Sequence, residues 1–99
     1  MAKHFNQLTP PEAERLAVLA EECAEVIQAI GKILRHGYAS RWEGESNKDA
    51  LEKELGHVLH AYDRLVKAGD LSDQTVKISQ LFKARDIEPF LHHQEADNG

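Results

Sequence analysis

Four side chains in this sequence have the type and spacing to hold a divalent cation: Glu22 and Glu25 within Glu21-Glu22-Cys23-Ala24-Glu25, and Glu54 and His57 within Glu54-Leu55-Gly56-His57. On a helix Glu22 and Glu25 lie about 60° apart, on one face. His57 sits one turn beyond Glu54, on the same edge of its own helix. Each acidic edge borders an apolar stripe, so two helices that pack stripe to stripe bring these groups together. Carboxylates that converge in a partly dry seam repel one another, and a hard cation such as Mg²⁺, which takes oxygen ligands, relieves that repulsion. The same spacing also suits glutamates that merely edge a solvated helix face, because Glu-x-x-Glu is common in helices. The second acidic position on a facing helix favours the metal reading.

The elements that must position these groups are helices. Thr9-Pro10-Pro11-Glu12 is a helix start, with Thr9 as cap, Pro10 in the first turn and Glu12 completing a capping box. Leu16, Leu19, Cys23, Val26, Ile27, Ile30, Ile33 and Leu34 then recur at helical spacing up to the stop at His36-Gly37. This predicts a helix over 10–36, with Cys23 as a small core residue on its stripe. Tyr38 to Ser46 has no period and reads as a loop. Asn47 is expected to cap a second helix over 47–68, with Asp49 in its first turn and a stripe of Leu51, Leu55, Val58, Leu59, Tyr62, Leu65 and Val66. Ser72 or Asp70 caps a third, over 72–85, carrying Val76, Ile78, Leu81 and Phe82. The tail, 86–99, is partly irregular, with Pro89 against a regular helix and Gln94 to Gly99 frayed. No strand-like alternation, repeat or low-complexity run is present. The class is all-α, a helical hairpin plus a third helix in a single domain over 1–99.

Composition narrows the function. The chain of 99 residues carries 12 Lys+Arg against 17 Asp+Glu, a net charge of −5. That balance argues against nucleic-acid binding, which needs a basic footprint. A single cysteine, Cys23, excludes an intrachain disulfide and a cysteine-based zinc cluster, and the reducing cytoplasm is the expected compartment. Neither a signal-peptide pattern nor a run of apolar residues long enough to span a membrane is seen. A chain this short buries a thin core, so self-association is expected to help it.

Leu19-Ala20-Glu21-Glu22-Cys23-Ala24-Glu25-Val26-Ile27-Gln28-Ala29, followed by Glu54-Leu55-Gly56-His57-Val58-Leu59, resembles the MazG-type nucleoside triphosphate pyrophosphohydrolases. Their signature is Glu-x-x-Glu, a spacer, then Glu-x-x-Asp, and the spacer between Glu25 and Glu54 is 28 residues. The likeness covers about residues 16–68, and the chain length suits the short MazG-like proteins often encoded by phages. It implies a bundle that forms a four-helix core on dimerisation, a homodimer or a homotetramer built from two dimers. It also implies Mg²⁺- or Mn²⁺-dependent cleavage of a (d)NTP between the α and β phosphates, giving a (d)NMP and pyrophosphate. By the match, Glu22, Glu25 and Glu54 take metal-ligand roles, with Glu22 also catalytic, and Glu21 binds metal or orients the attacking water. The chain departs from the pattern at His57, where the family has aspartate. Three readings follow: a nitrogen ligand with shifted metal preference, a site of three glutamates with reduced activity, or a member without turnover. Imidazole suits Mn²⁺, Co²⁺, Ni²⁺ or Zn²⁺ better than Mg²⁺.

Other residues have a place near such a site. Tyr38 and Trp42, in the loop between the acidic helices, either stack on a nucleobase or cover the hairpin end. Lys77, Lys83 and Arg85 on the third helix either contact substrate phosphates, from their own or a neighbouring subunit, or line a solvated face. His60 and His92-His93 are expected at the surface. There is no phosphate-binding glycine loop, dinucleotide fingerprint or nucleophile elbow. Glu54-x-x-His57 matches half of a ferritin-like di-metal motif, which a homodimer could complete by symmetry. A helical dimer that binds a nucleotide or a protein without turnover is the non-enzymatic alternative.

Overall fold

A computed structural model describes residues 5–95. In chain order the elements are α1 (Pro10–His36), β1 (Arg41–Trp42), β2 (Glu45–Ser46), α2 (Asn47–Lys67), α3 (Asp73–Asp86) and a short 3-10 turn at Glu88–Phe90. The all-α class holds, apart from the two-residue strands. α1 begins as its sequence dictates: Thr9 Oγ1 accepts the Glu12 N–H at 3.4 Å, and Glu12 returns a carboxylate to the Thr9 N–H at 2.8 Å.

α1 and α2 form an antiparallel hairpin fastened at both ends. At the closed end the buried Asn47 donates from Nδ2 to the Gly37 carbonyl at 3.0 Å. At the open end the Arg15 guanidinium makes a two-point contact with Asp70, Nε to Oδ2 at 2.6 Å and Nη2 to Oδ1 at 3.0 Å. The Arg15 contact holds the Asp70 carboxyl below the usual carboxylate range. One expected cap moves, and one of two alternatives is selected. Ser46, not Asn47, caps α2, accepting the Asp49 N–H at 3.0 Å in a second capping box. Asn47 is thereby free to lock the loop, and Asp70 is engaged by Arg15, leaving Ser72 to cap α3.

The expected loop contains a tight antiparallel hairpin, with Arg41 opposite Ser46 and Trp42 opposite Glu45. Its turn residues Glu43 and Gly44 have φ of +54° and +84°, the left-handed pair that matches strand twist in two-residue hairpins. Glu-Gly is a weaker hairpin signal than Asn-Gly or Asp-Gly, and two-residue strands leave no alternation to read. In the tail, Pro89 occupies the first turn of the 3-10 segment; of the residues expected to fray, 96–99 lie outside the described residues.

The core is thin. Among the described residues Ala29 on α1 and Ala61 and Leu65 on α2 are the buried apolar side chains. The predicted α1 stripe faces largely outward: Ile27 is 70% and Leu34 82% exposed. Cys23 is exposed as well, contrary to its expected core position. The physical reason is that α1 packs on α2 through the face bearing Glu22, Glu25 and Ala29, a part-turn away from the richest apolar line. α3 does not pack at length against either helix and buries no residue. Its link to α2 is the hydrogen bond from Tyr62 Oη to Asp73 Oδ1 at 2.5 Å. That bond raises the phenol's pKa to about 12.

Candidate metal centre

The α1–α2 seam is where the acidic residues meet. Glu22 and Glu25, three residues apart on α1, face Glu54 and His57, three apart on α2, and each offers one ligand atom such that all four lie within 4.8 Å of one another. The three carboxylates are half-buried, whereas His57 is exposed at the mouth. His57 Nδ1 lies 3.2 Å from Glu54 Oε2 and 3.3 Å from Glu22 Oε2. Hydrogen-bond geometry is met only with Glu54. Glu22 Oε2 is therefore a buried carboxylate oxygen without a hydrogen-bond donor.

Electrostatics give the same picture. The Glu25 carboxyl is pushed above its usual range, first by a hydrogen bond with Glu54, then by that group's negative charge and by desolvation; His57 and Glu22 act in the opposite sense. Like charges at this range disfavour one another's ionisation. A divalent cation would relieve that repulsion and supply the partner that Glu22 Oε2 lacks. The donor set, three carboxylates and one imidazole, fits Mg²⁺ through its oxygens and Mn²⁺ through both atom types.

The remaining predicted residues are dispersed. Glu21 is exposed on α1 and outside the cluster of four. Tyr38 and Trp42 are 60% and 70% exposed at the closed end of the hairpin. Lys77 pairs with Asp73 at 3.8 Å, and Arg85 pairs with Asp86 at 3.2 Å while lying over the Phe82 ring. With the exposed Lys83 they sit on α3, away from the α1–α2 packing. His60 accepts from Arg64 Nε at 3.2 Å, and His92 and His93 are exposed, as expected of surface histidines.

One feature was not anticipated. A cavity of about 490 Å³ opens at the closed end, lined by Lys32, Arg35, His36, Arg41, Trp42 and Asn47 among others. The sequence does carry a signal for it: Lys32 follows Glu25 by seven residues and Asn47 precedes Glu54 by seven. Seven residues are close to two helical turns, so each returns to the face of its glutamate.

Fold and site together define an all-α protein whose helical hairpin carries a seam of converging carboxylates. The chain belongs to the MazG nucleotide pyrophosphohydrolase domain family, whose model matches residues 11–85. That match takes in all four clustered residues and most of α3. Comparison with curated proteins and with solved structures finds no match.

Proposed function

We propose that this protein is a metal-dependent nucleoside triphosphate pyrophosphohydrolase, cleaving a (d)NTP to a (d)NMP and pyrophosphate. The observation that carries the reading is the convergence of Glu22, Glu25 and Glu54 around a buried, donorless carboxylate oxygen, in a chain of this family. These glutamates, with His57 at the mouth, would hold Mg²⁺ or Mn²⁺. When bound, such an ion neutralises phosphate charge and lowers the pKa of a water. The protein's own part is to fix the carboxylates before substrate arrives. The capping boxes and the Asn47 and Arg15 fasteners hold the helices in one register, so little ordering is left to substrate binding. Water attacks the α phosphorus, the bond to the bridging oxygen breaks, and pyrophosphate leaves. Glu21, beside the cluster and open to solvent, is the side chain assigned to orient that water.

The working form is a homodimer. The accessible surface is 8003 Å², against about 5,700 Å² for a folded monomer of this mass. The excess is on the scale of an obligate interface, and the outward apolar residues of α1 and α3 supply its chemistry. A second reading, a nucleotide-binding member without turnover, is favoured by one observation: His57 stands at the family's aspartate position and is hydrogen-bonded to Glu54.

The experiment is a screen of ribo- and deoxynucleoside triphosphates with Mg²⁺ and with Mn²⁺, scoring pyrophosphate against single phosphate. Glu22→Gln, Glu25→Gln and Glu54→Gln should each lower the rate by about 100-fold or more, since loss of even outer-shell metal partners costs up to that much. Pyrophosphate release that survives all three would exclude this site. Nucleotide binding without release would select the second reading.

A further inference from the structure

At the family's aspartate position this chain carries His57, and the exchange alters more than charge. An aspartate has two oxygens with about four lone-pair positions between them, so it can bridge two cations. A neutral imidazole has one lone pair to give, because its other ring nitrogen carries the proton on the far edge of the ring. His57 can therefore offer the seam one donor atom and serve one cation.

Nδ1 is the nitrogen turned into the seam, 3.2 Å from Glu54 Oε2 and 3.3 Å from Glu22 Oε2. A ring that gives Nδ1 to a cation holds its proton on Nε2, and the His57 side chain is 49% exposed, which leaves that N–H open to water. The carboxylate across from it, Glu22 Oε2, is buried without a hydrogen-bond donor. Size then limits the number of ions. The four ligand atoms lie within 4.8 Å of one another. Opposite donors around one six-coordinate ion at about 2.1 Å stand about 4.2 Å apart, so the cluster closes around one ion with a shift of roughly half an ångström. Two ions about 4 Å apart, with donors on their far sides, need ligand atoms spread over about 8 Å. Donor type limits the kind of ion. Mg²⁺ prefers oxygen and keeps its waters, whereas Mn²⁺ and Co²⁺ accept imidazole and carboxylate together.

We propose that the seam is a one-ion centre in which His57 Nδ1 is a ligand beside Glu22, Glu25 and Glu54, and that it takes Mn²⁺ or Co²⁺ in preference to Mg²⁺. Such a centre rests on the metal-dependent reading of the seam, but binding alone defines it. In the competing arrangement His57 keeps its hydrogen bond to Glu54 and stays outside the ion's shell, which leaves no nitrogen at the metal.

Mn²⁺ is paramagnetic and reports its own ligands. The experiment adds Mn²⁺ to the chelator-treated full chain, counts bound ions by electron paramagnetic resonance and reads nitrogen coupling from the spin-echo modulation. One Mn²⁺ should bind per chain, with a directly coordinated nitrogen. Mg²⁺ should displace it only in about 100-fold excess, the scale on which the shells of a site set metal affinity. In His57→Asp the nitrogen coupling should vanish, and the Mg²⁺ excess needed should fall by about tenfold or more. His60→Ala, one turn along α2, and a double variant His92→Ala, His93→Ala should keep both the coupling and the count, because these exposed rings lie outside the cluster of four. Binding of Mn²⁺ without nitrogen coupling overturns the proposal, as does coupling that survives His57→Asp or disappears with the tail histidines. Two Mn²⁺ of similar affinity per chain, or displacement by equimolar Mg²⁺, overturns it as well. Failure to bind Mn²⁺ at all overturns it together with the metal-dependent reading. Nitrogen-free binding leaves hydrolysis at the three glutamates standing, whereas a nitrogen-coupled ion without pyrophosphate release overturns the hydrolytic reading and leaves this centre in place.

Discussion

Glu25 and Glu54 crowd one another in the seam, and that crowding has a consequence for stability. The folded pKa of Glu25 is raised, chiefly by Glu54, so the metal-free folded chain holds the Glu25 proton more tightly than the unfolded chain. Stability from this group is fully present below the unfolded pKa and is lost as pH rises through the raised value. A divalent cation relieves the repulsion that appears above that value. We expect Mn²⁺ to raise the melting temperature more at pH 7.5 than at pH 5, read by thermal denaturation with and without metal; an equal rise at both would place the metal elsewhere. His57 bears on metal choice. Replacing it by aspartate restores an anionic oxygen, so His57→Asp should increase the Mg²⁺-supported rate relative to the Mn²⁺-supported rate by about tenfold. Paired metal titrations of both proteins measure this, and an unchanged preference would remove His57 from the centre.

At the scale of elements, the hairpin depends on few contacts, so each carries weight. Leu65 is the most deeply buried large side chain, and Leu65→Ala should destabilise the fold by about 3 kcal/mol, seen as a lower urea midpoint. Arg15 and Asp70 close the open end. The Asp70 pKa is lowered by Arg15, so the pair stabilises above the unfolded aspartate range and that contribution is lost as pH falls through the depressed value. Arg15→Ala should therefore lower the melting temperature at pH 7, with the gap to the parent protein closing in acid. A gap that stays constant down to strongly acidic pH would mean that Arg15 acts through packing instead.

The whole molecule is extended. Its radius of gyration is 17.1 Å, against about 13 Å for a compact chain of this length. Ile27, Leu34, Leu81, Phe82 and Phe90 are all more than half exposed, and a lone chain gains nothing from presenting them to water. Light scattering at micromolar concentration should give twice the chain mass or a multiple of it, and a stable folded monomer would overturn the dimer. Among the described residues no helix is long and apolar enough to cross a membrane.

The helices were legible in the sequence because their signals are local: Thr9 with Glu12 and the Gly37 stop act over a single turn. The pairing of Glu22 and Glu25 with Glu54 was legible as well, since spacing along two facing helices fixes which edge each residue occupies. Facing and depth were not. Whether Cys23 and Ile27 or Glu22 and Ala29 lie against α2 turns on a rotation of α1 by part of a turn, and both faces carry enough apolar residues to satisfy the periodicity. The hairpin at Arg41–Ser46 and the cation-lined cavity depend on backbone bonds from α2 to the loop and on side chains from three elements. The seven-residue spacing places Lys32 and Asn47 on the faces of their glutamates, but the arrival of the loop residues beside them has no sequence period, and only the packed tertiary structure decides it.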